Sequence, residues 1–228
     1  MKLLLWDIDG TLIHGGGVAG AAMRAAMERV YGRPATDDRR SYAGKTDQQI
    51  ILETFSERSA EELLRDLAPF TQAYLVAMEA SRGEFEARAR VLPGVVPALQ
   101  RLQAEPVVLS LLTGNLLPVA RLKLELLGLA HFFDFDAGAY GSDHHRRAAL
   151  APIAAGRAAR RYGRAFAGRD IVVIGDTPFD IECGRAAGAR TVAVATGPFS
   201  AEELRAHRPD AVLADLADTD AALRAILG

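Results

Sequence analysis

The sequence predicts a doubly wound, mostly parallel α/β sheet of Rossmann-like type that carries an inserted helical block. Three observations lead there. Short apolar runs at residues 3–8, 106–112, 170–174, 191–195 and 211–213 are too short for helices and mostly unalternating, and several are rich in Val and Ile. Strands buried on both faces of a parallel sheet have that character. Helical periods alternate with these runs, at residues 95–103, 116–127, 148–162, 179–187, 201–207 and 216–227. The length, 228 residues at about 150 per domain, suits one core with an insertion better than two equal domains.

Taken in order, residues 3–8 form the first strand and the rhythm then breaks. Residues 15–90 hold helical patterns at 19–31, 46–55 and 59–81, with no convincing strand. Ser59 with Glu62 three residues on makes a capping box, and Pro69 is expected to kink or split the last helix. Strand–helix alternation resumes near Leu92-Pro93-Gly94, and Gly128, Gly163 and Gly188 follow three of the later helices as C-terminal stops. The expected organisation is a core of residues 1–14 and 91–228 with an inserted helical domain at 15–90.

Composition narrows the function classes. Half the residues are hydrophobic and a quarter charged, which supports a sizeable core and excludes a disordered chain. Twenty-seven basic and 29 acidic residues leave a net charge of −2, so no nucleic-acid footprint is expected. Cys183 is the single cysteine, which rules out an internal disulfide and a Cys-rich zinc site. No apolar run approaches the roughly 18 residues of a membrane span, and the N-terminal stretch turns acidic too soon for a signal peptide. A cytoplasmic globular protein is expected.

Ligands of open parallel sheets bind beyond the carboxyl ends of the strands. The first run ends in Asp7-Ile8-Asp9-Gly10-Thr11, the second in Thr113-Gly114-Asn115, and a later one in Ile174-Gly175-Asp176-Thr177. Carboxylates and a hydroxyl thus converge on one edge, which suits phosphoryl transfer. Asp7 and Asp176 offer hard oxygen ligands to Mg²⁺. If the strand continues, positions 7 and 9 point the same way, so one acid can attack while the other handles the proton. Thr113 and the N–H groups at the following helix start can hold phosphate oxygens.

These motifs, Asp7-Ile-Asp-Gly-Thr-Leu, Leu-Thr113-Gly-Asn and Ile-Gly-Asp176-Thr-Pro-Phe-Asp180, resemble motifs one, two and four of the haloacid dehalogenase-like hydrolase superfamily. The phosphoglycolate phosphatase-like and β-phosphoglucomutase-like branch is the most similar, and helices 15–90 resemble its α-helical cap. The resemblance implies Asp7 as nucleophile and Asp9 as acid/base, with Asp7 ionised and Asp9 able to carry a proton. It places Mg²⁺ on the Asp7 carboxylate, the Asp9 carbonyl and Asp176, and the phosphoryl group at Thr113, Gly114 and Asn115. Asp9 also favours phosphate chemistry over carbon–halogen cleavage, whose enzymes lack an acid there.

The family's third motif supplies a Lys, and this chain has only Lys2, Lys45 and Lys123. Lys123 stands mid-helix ten residues past Thr113, so Arg147 is the expected substitute, with Arg146 second. Asp180 would lie one helical turn from Asp176, near the metal's water shell or paired with Arg147. Lys45 in the cap is a candidate substrate contact, whereas His144 and His145 read as loop residues. The expected function is a Mg²⁺-dependent phosphatase of a small phosphorylated metabolite; the sequence does not name the substrate, and phosphoglycolate is the first candidate the resemblance suggests. A phosphosugar mutase is the alternative, and a non-catalytic phospho-Asp signalling module is a more distant one.

Overall fold

A computed structural model describes residues 1–35 and 42–228, so a short part of the segment expected to form the insertion lies outside the described residues. Strand β1 (Lys2–Trp6) occupies the middle of a six-stranded sheet. Its neighbours are β4 (Val107–Thr113) on one side and β6 (Ile171–Gly175) on the other. Outside these lie β5 (Ala139–Tyr140), next to β4, and β7 (Arg190–Val194) followed by β8 (Ala211–Leu213), next to β6. Every pairing is parallel, with Leu4 between Leu109 and Val172 and Trp6 between Leu111 and Ile174.

The unalternating apolar run of β1 follows from burial on both faces. Leu3 and Leu5 pack with Val108, Leu112 and Val173 beneath helix α8 (Leu150–Tyr162), which contributes Ala151, Ala154 and Ala158. Leu4 and Trp6 face the opposite layer, with Leu109, Leu111, Val172 and Ile174. That layer is built from α6 (Val95–Gln103), α7 (Leu117–Leu126) and α11 (Thr219–Leu227). Each buried Leu of this kind contributes about 1.5–3 kcal/mol. Helix α9 (Pro178–Ala186) follows β6, and α10 (Ala201–Ala206) joins β7 to β8.

Three short strands were not expected from sequence: β5 at the sheet edge and a separate two-stranded ribbon. Ile13–His14 (β2) pairs antiparallel with Arg90–Val91 (β3), so the chain leaves and re-enters the sheet layer side by side. Two-residue strands have no period to detect. Between them run α1 (Val18–Tyr31), α2 (Asp47–Thr54), α3 (Ala60–Arg65), α4 (Leu67–Ala80) and α5 (Arg82–Arg88). Tyr31 of α1 ties this helical insertion together, its ring 5.0 Å from Phe55 and 5.8 Å from Phe70. Ser59 Oγ accepts the Glu62 N–H at 3.2 Å. The expected split falls at Asp66, which ends α3 and begins α4, and Pro69 sits in the first turn of α4, where its missing N–H has no helical partner to lose. Among the described residues, no helix is long and apolar enough to cross a membrane.

Candidate active site

The carboxyl ends of β1, β4 and β6 are adjacent, and the strand order reverses at β1, the position where open α/β sheets bind ligands. Asp7 follows β1 directly, held by its N–H on the Ile174 carbonyl at 2.9 Å. Asp176 follows β6, and its Oδ1 accepts the Thr11 hydroxyl at 2.9 Å. The Asp176 carboxylate can reach this place because two neighbours lack side chains. A Cβ on Gly10 would stand 2.3 Å from its Oδ2 and one on Gly197 only 1.7 Å.

Arg147 arrives from a 3₁₀ turn, Arg147–Ala149, just before α8, and is buried. Its Nη2 lies 3.0 Å from Asp7 Oδ1, makes a short contact with Asp180 Oδ1 and donates to the Leu112 carbonyl at 3.4 Å. Its Nη1 donates to the Gly44 carbonyl at 3.2 Å. Beneath it, the Cys183 thiol donates to the Arg147 carbonyl at 3.1 Å. Asp180 also closes a capping box on α9, its Oδ2 accepting the Thr177 N–H at 3.0 Å and hydroxyl at 2.6 Å. Burial disfavours a charged guanidinium, but Asp180 and Asp7 outweigh it and raise the Arg147 pKa further.

Asp9 is surrounded differently. Lys123, buried on α7, donates to Asp9 Oδ2 at 2.7 Å and to Asn115 Oδ1 at 2.6 Å. Asn115 Nδ2 donates to the same Asp9 oxygen at 2.8 Å and to Thr113 Oγ1 at 2.8 Å. Burial pushes the Asp7 carboxyl up to about 6, opposed by Arg147 and reinforced by Asp180 and Asp9. Burial acts the same way on Asp9, but the Lys123 charge and the hydrogen bonds from Lys123 and Asn115 win and lower it. In the cation-free protein Asp7 therefore binds a proton more readily than Asp9, although a value of about 6 still leaves Asp7 mostly ionised at neutral pH. The physical reason is Lys123, which a mid-helix position had set aside.

The residues present fit a hard divalent cation. Oxygens of Asp7, Asp176 and Asp180 lie within 4.8 Å of one another, all buried, with Arg147 the cation beside them. Asp176 is raised well above the ordinary carboxylate range by burial, then by Asp7 and Asp180. Both Asp180 oxygens are engaged by Arg147 and Thr177, so Asp7 and Asp176 are the carboxylates with open oxygen positions.

Facing these groups is a cavity of about 550 Å³, whose far wall comes from the helical insertion, with Ala19, Met23, Tyr42, Ile50 and Tyr74. Lys45 lines it too, with its ammonium 2.6 Å from Glu53 Oε2. Arg146 is exposed, and the stacked rings of His144 and His145 belong to the loop before it. Of the predicted site residues, Asp7, Asp9, Thr113, Gly114, Asn115, Arg147 and Asp176 share this cavity, and Asp180 lies behind Arg147. Sequence reasoning missed Lys123, Thr11, Gly197 and Asp47. Lys123 carried a signal: it interrupts the apolar face formed by Val119, Ala120, Leu122 and Leu124, all buried with it.

Comparison with known proteins agrees with this architecture. The chain is similar to a pyrophosphatase PpaX of Bacillus pumilus, 25% identical over 233 residues that cover 100% of this chain and 97% of the relative. It is also similar to a phosphoglycolate phosphatase of Cereibacter sphaeroides, 26% identical over 191 residues that cover 83% of each chain. Among solved structures, a hydrolase from Pseudomonas syringae shares the fold with a TM-score of 0.68, at 23% identity and 98% coverage of both chains. A family profile described as haloacid dehalogenase-like hydrolase matches residues 1–188, and the chain belongs to that family.

Proposed function

We propose that the protein is a divalent-cation-dependent phosphatase that hydrolyses a small organic phosphomonoester through a phosphorylated Asp7. The observation that carries this reading is the pair Asp7 and Asp9, two residues apart and facing one cavity, each paired with a different buried cation. The names of its relatives, pyrophosphatase and phosphoglycolate phosphatase, point to the same chemistry. The helical insertion is read as a cap that supplies the far wall of the cavity and excludes bulk water when closed.

In the first step, an Asp7 oxygen bonds to phosphorus as the bond to the leaving oxygen breaks, and Asp9 gives that oxygen a proton. In the second, Asp9 takes a proton from water, the water oxygen bonds to phosphorus, and the phosphorus–Asp7 bond breaks to release inorganic phosphate. Arg147 holds Asp7 in place and keeps positive charge beside the reacting oxygens. Lys123 favours the ionised form of Asp9 at rest, and an entering phosphate dianion that draws on Lys123 raises the proton affinity of Asp9, which takes up from solvent or substrate the proton that it then gives to the leaving oxygen. Mg²⁺ held by Asp7 and Asp176 would supply the remaining positive charge between nucleophile and phosphoryl oxygens.

The test is phosphate release over a panel of small metabolite phosphates, pyrophosphate and phosphoglycolate among them, with Asp7→Asn as control. One or more substrates turn over in the parent protein, and Asp7→Asn falls by about 10⁴-fold or more, as expected when a covalent nucleophile is removed. Near-parental turnover in Asp7→Asn would refute the assignment, and isomer formation without phosphate release would make the protein a mutase.

A further inference from the structure

Residues Gly44–Gln48 belong to the helical insertion, yet they are bonded across to several core turns. The Thr46 hydroxyl donates to the His145 carbonyl at 2.6 Å, and Gln48 Nε2 donates to the Gly141 carbonyl at 2.7 Å. Asp47, the first residue of α2, makes the closest engagement. Its N–H donates to the Gly114 carbonyl at 2.8 Å, and its Oδ2 accepts the Leu116 N–H at 2.9 Å. The approach requires bare backbone, since a Cβ on Gly114 would stand 2.0 Å from the Lys45 carbonyl oxygen.

Asp47 therefore grips both ends of Gly114-Asn115-Leu116, and the residue between its two bonds is Asn115. Asn115 in turn bridges Asp9, Thr113 and Lys123 through its side-chain amide. We infer that Asp47 is a positioning residue through which docking of the helical insertion sets the orientation of Asn115, and with it Lys123 and Asp9. This rests on the reading of Asp9 as acid and base. The catalytic consequence is specific. When the insertion docks, the Asp9 environment is completed; when it lifts, the Leu116 N–H loses its carboxylate partner and Asn115 is free to turn. Asp7 is held by Arg147, which meets the insertion at the Gly44 carbonyl and not at Asp47, so a substitution at Asp47 acts on the acid/base side and leaves the nucleophile's partner in place.

The experiment is stopped-flow hydrolysis of p-nitrophenyl phosphate with Mg²⁺ by the parent protein, Asp47→Ala and Asp47→Asn, with thermal unfolding of each. p-Nitrophenolate leaves without a proton, so phosphorylation of Asp7 does not need Asp9, whereas the water step does. Asp47→Ala is expected to keep a p-nitrophenolate burst within about 3-fold of the parent rate while steady turnover falls about 30-fold or more, within the range of general acid–base catalysis. Asp47→Asn recovers most of that loss, because its amide oxygen still accepts the Leu116 N–H. Asp47→Ser, whose hydroxyl stops short of Leu116, reads the same contrast should the alanine variant unfold early. Parental turnover in the alanine and serine variants would overturn the inference. So would an equal fall of burst and turnover in a variant that unfolds at the parent temperature. Failure of the nucleophile reading would show separately, as a parental burst in Asp7→Asn.

Discussion

The two sides of the cavity use a buried cation in opposite ways. On one side Arg147 spans two buried carboxylates, Asp7 and Asp180, and is anchored by the Gly44 and Leu112 carbonyls. On the other Lys123, equally buried, is given to Asp9, whose side chain is 43% exposed, and to the neutral Asn115. Asp7 is raised to about 6 by burial against a cation it must share, while Asp9 is lowered by a cation of its own. Two aspartates two residues apart thus acquire different electrostatic surroundings from the elements that deliver their partners, a 3₁₀ turn before α8 and the buried face of α7. Adjacency in the chain decides little; in the proposed mechanism the counter-charge separates the carboxylate that attacks from the one that exchanges a proton.

Removing Arg147 should break this comparison most severely. Arg147→Ala leaves Asp7 and Asp180 facing each other with no counter-charge, and stripping one partner from a buried pair costs about 3–5 kcal/mol. Turnover is expected to fall by about 10³-fold, as for loss of an electrostatic clamp, with a clear drop in unfolding temperature. Arg147→Lys recovers little, because a point charge cannot replace the fork that reaches Asp7, Asp180 and two carbonyls. Arg146→Ala, at an exposed position, is expected to behave like the parent. Equal losses at the two positions in a kinetic comparison would contradict the geometry.

Lys123→Met sharpens the other side. Without the ammonium, burial acts on Asp9 unopposed by its main partner, so its pKa rises and the alkaline-going limb of kcat against pH moves upward. Turnover near neutral pH should fall by about 10- to 100-fold and recover in part as pH increases. A pH profile parallel to the parent's, merely lower, would mean that Lys123 does not act through Asp9.

The smallest effect is on stability in EDTA, and it has opposite signs on the two sides. The folded pKa of Asp7, about 6, lies above its ordinary 3.8, so its favourable contribution is present below 3.8 and is lost as pH rises through 6. Asp7→Asn should therefore stabilise the cation-free protein at pH 8, by up to about 3 kcal/mol for a shift of about two units, and the gain should vanish near pH 4. Asp9 is lowered, so its contribution is present above the ordinary value and is lost as pH falls through its folded value. Asp9→Asn should destabilise at pH 8. Denaturant unfolding of both variants at the two pH values checks the signs.

Much of this site is legible in the chain because strand ends announce it. Asp7, Thr113 and Asp176 each follow an apolar run, and sheet topology alone brings them together. Arg147 could be reached by elimination in a chain with three lysines. Lys123 was passed over because its place in the middle of a helix was read without its phase, although buried neighbours flank it. The role of Gly197 is tertiary: a loop after β7 approaches Asp176 closely enough to exclude any side chain, and no local pattern encodes that approach. At Thr46-Asp47 either side chain could cap α2 on sequence grounds; Thr46 does so, accepting the Gln49 N–H at 3.0 Å, and Asp47 crosses to the core. The ribbon of β2 and β3 is too short for any period to mark.

The most direct test of the division between the two aspartates is to trap the intermediate in Asp9→Asn. This variant keeps the nucleophile, accepts a phosphoryl group from p-nitrophenyl phosphate without needing an acid, and lacks the base that activates water. Acid quenching after mixing with Mg²⁺ and substrate, followed by peptide mass mapping, should find the phosphoryl group on Asp7 in near-stoichiometric amount. Release of p-nitrophenol with an unmodified protein, or a phosphoryl group on any other residue, would contradict the account.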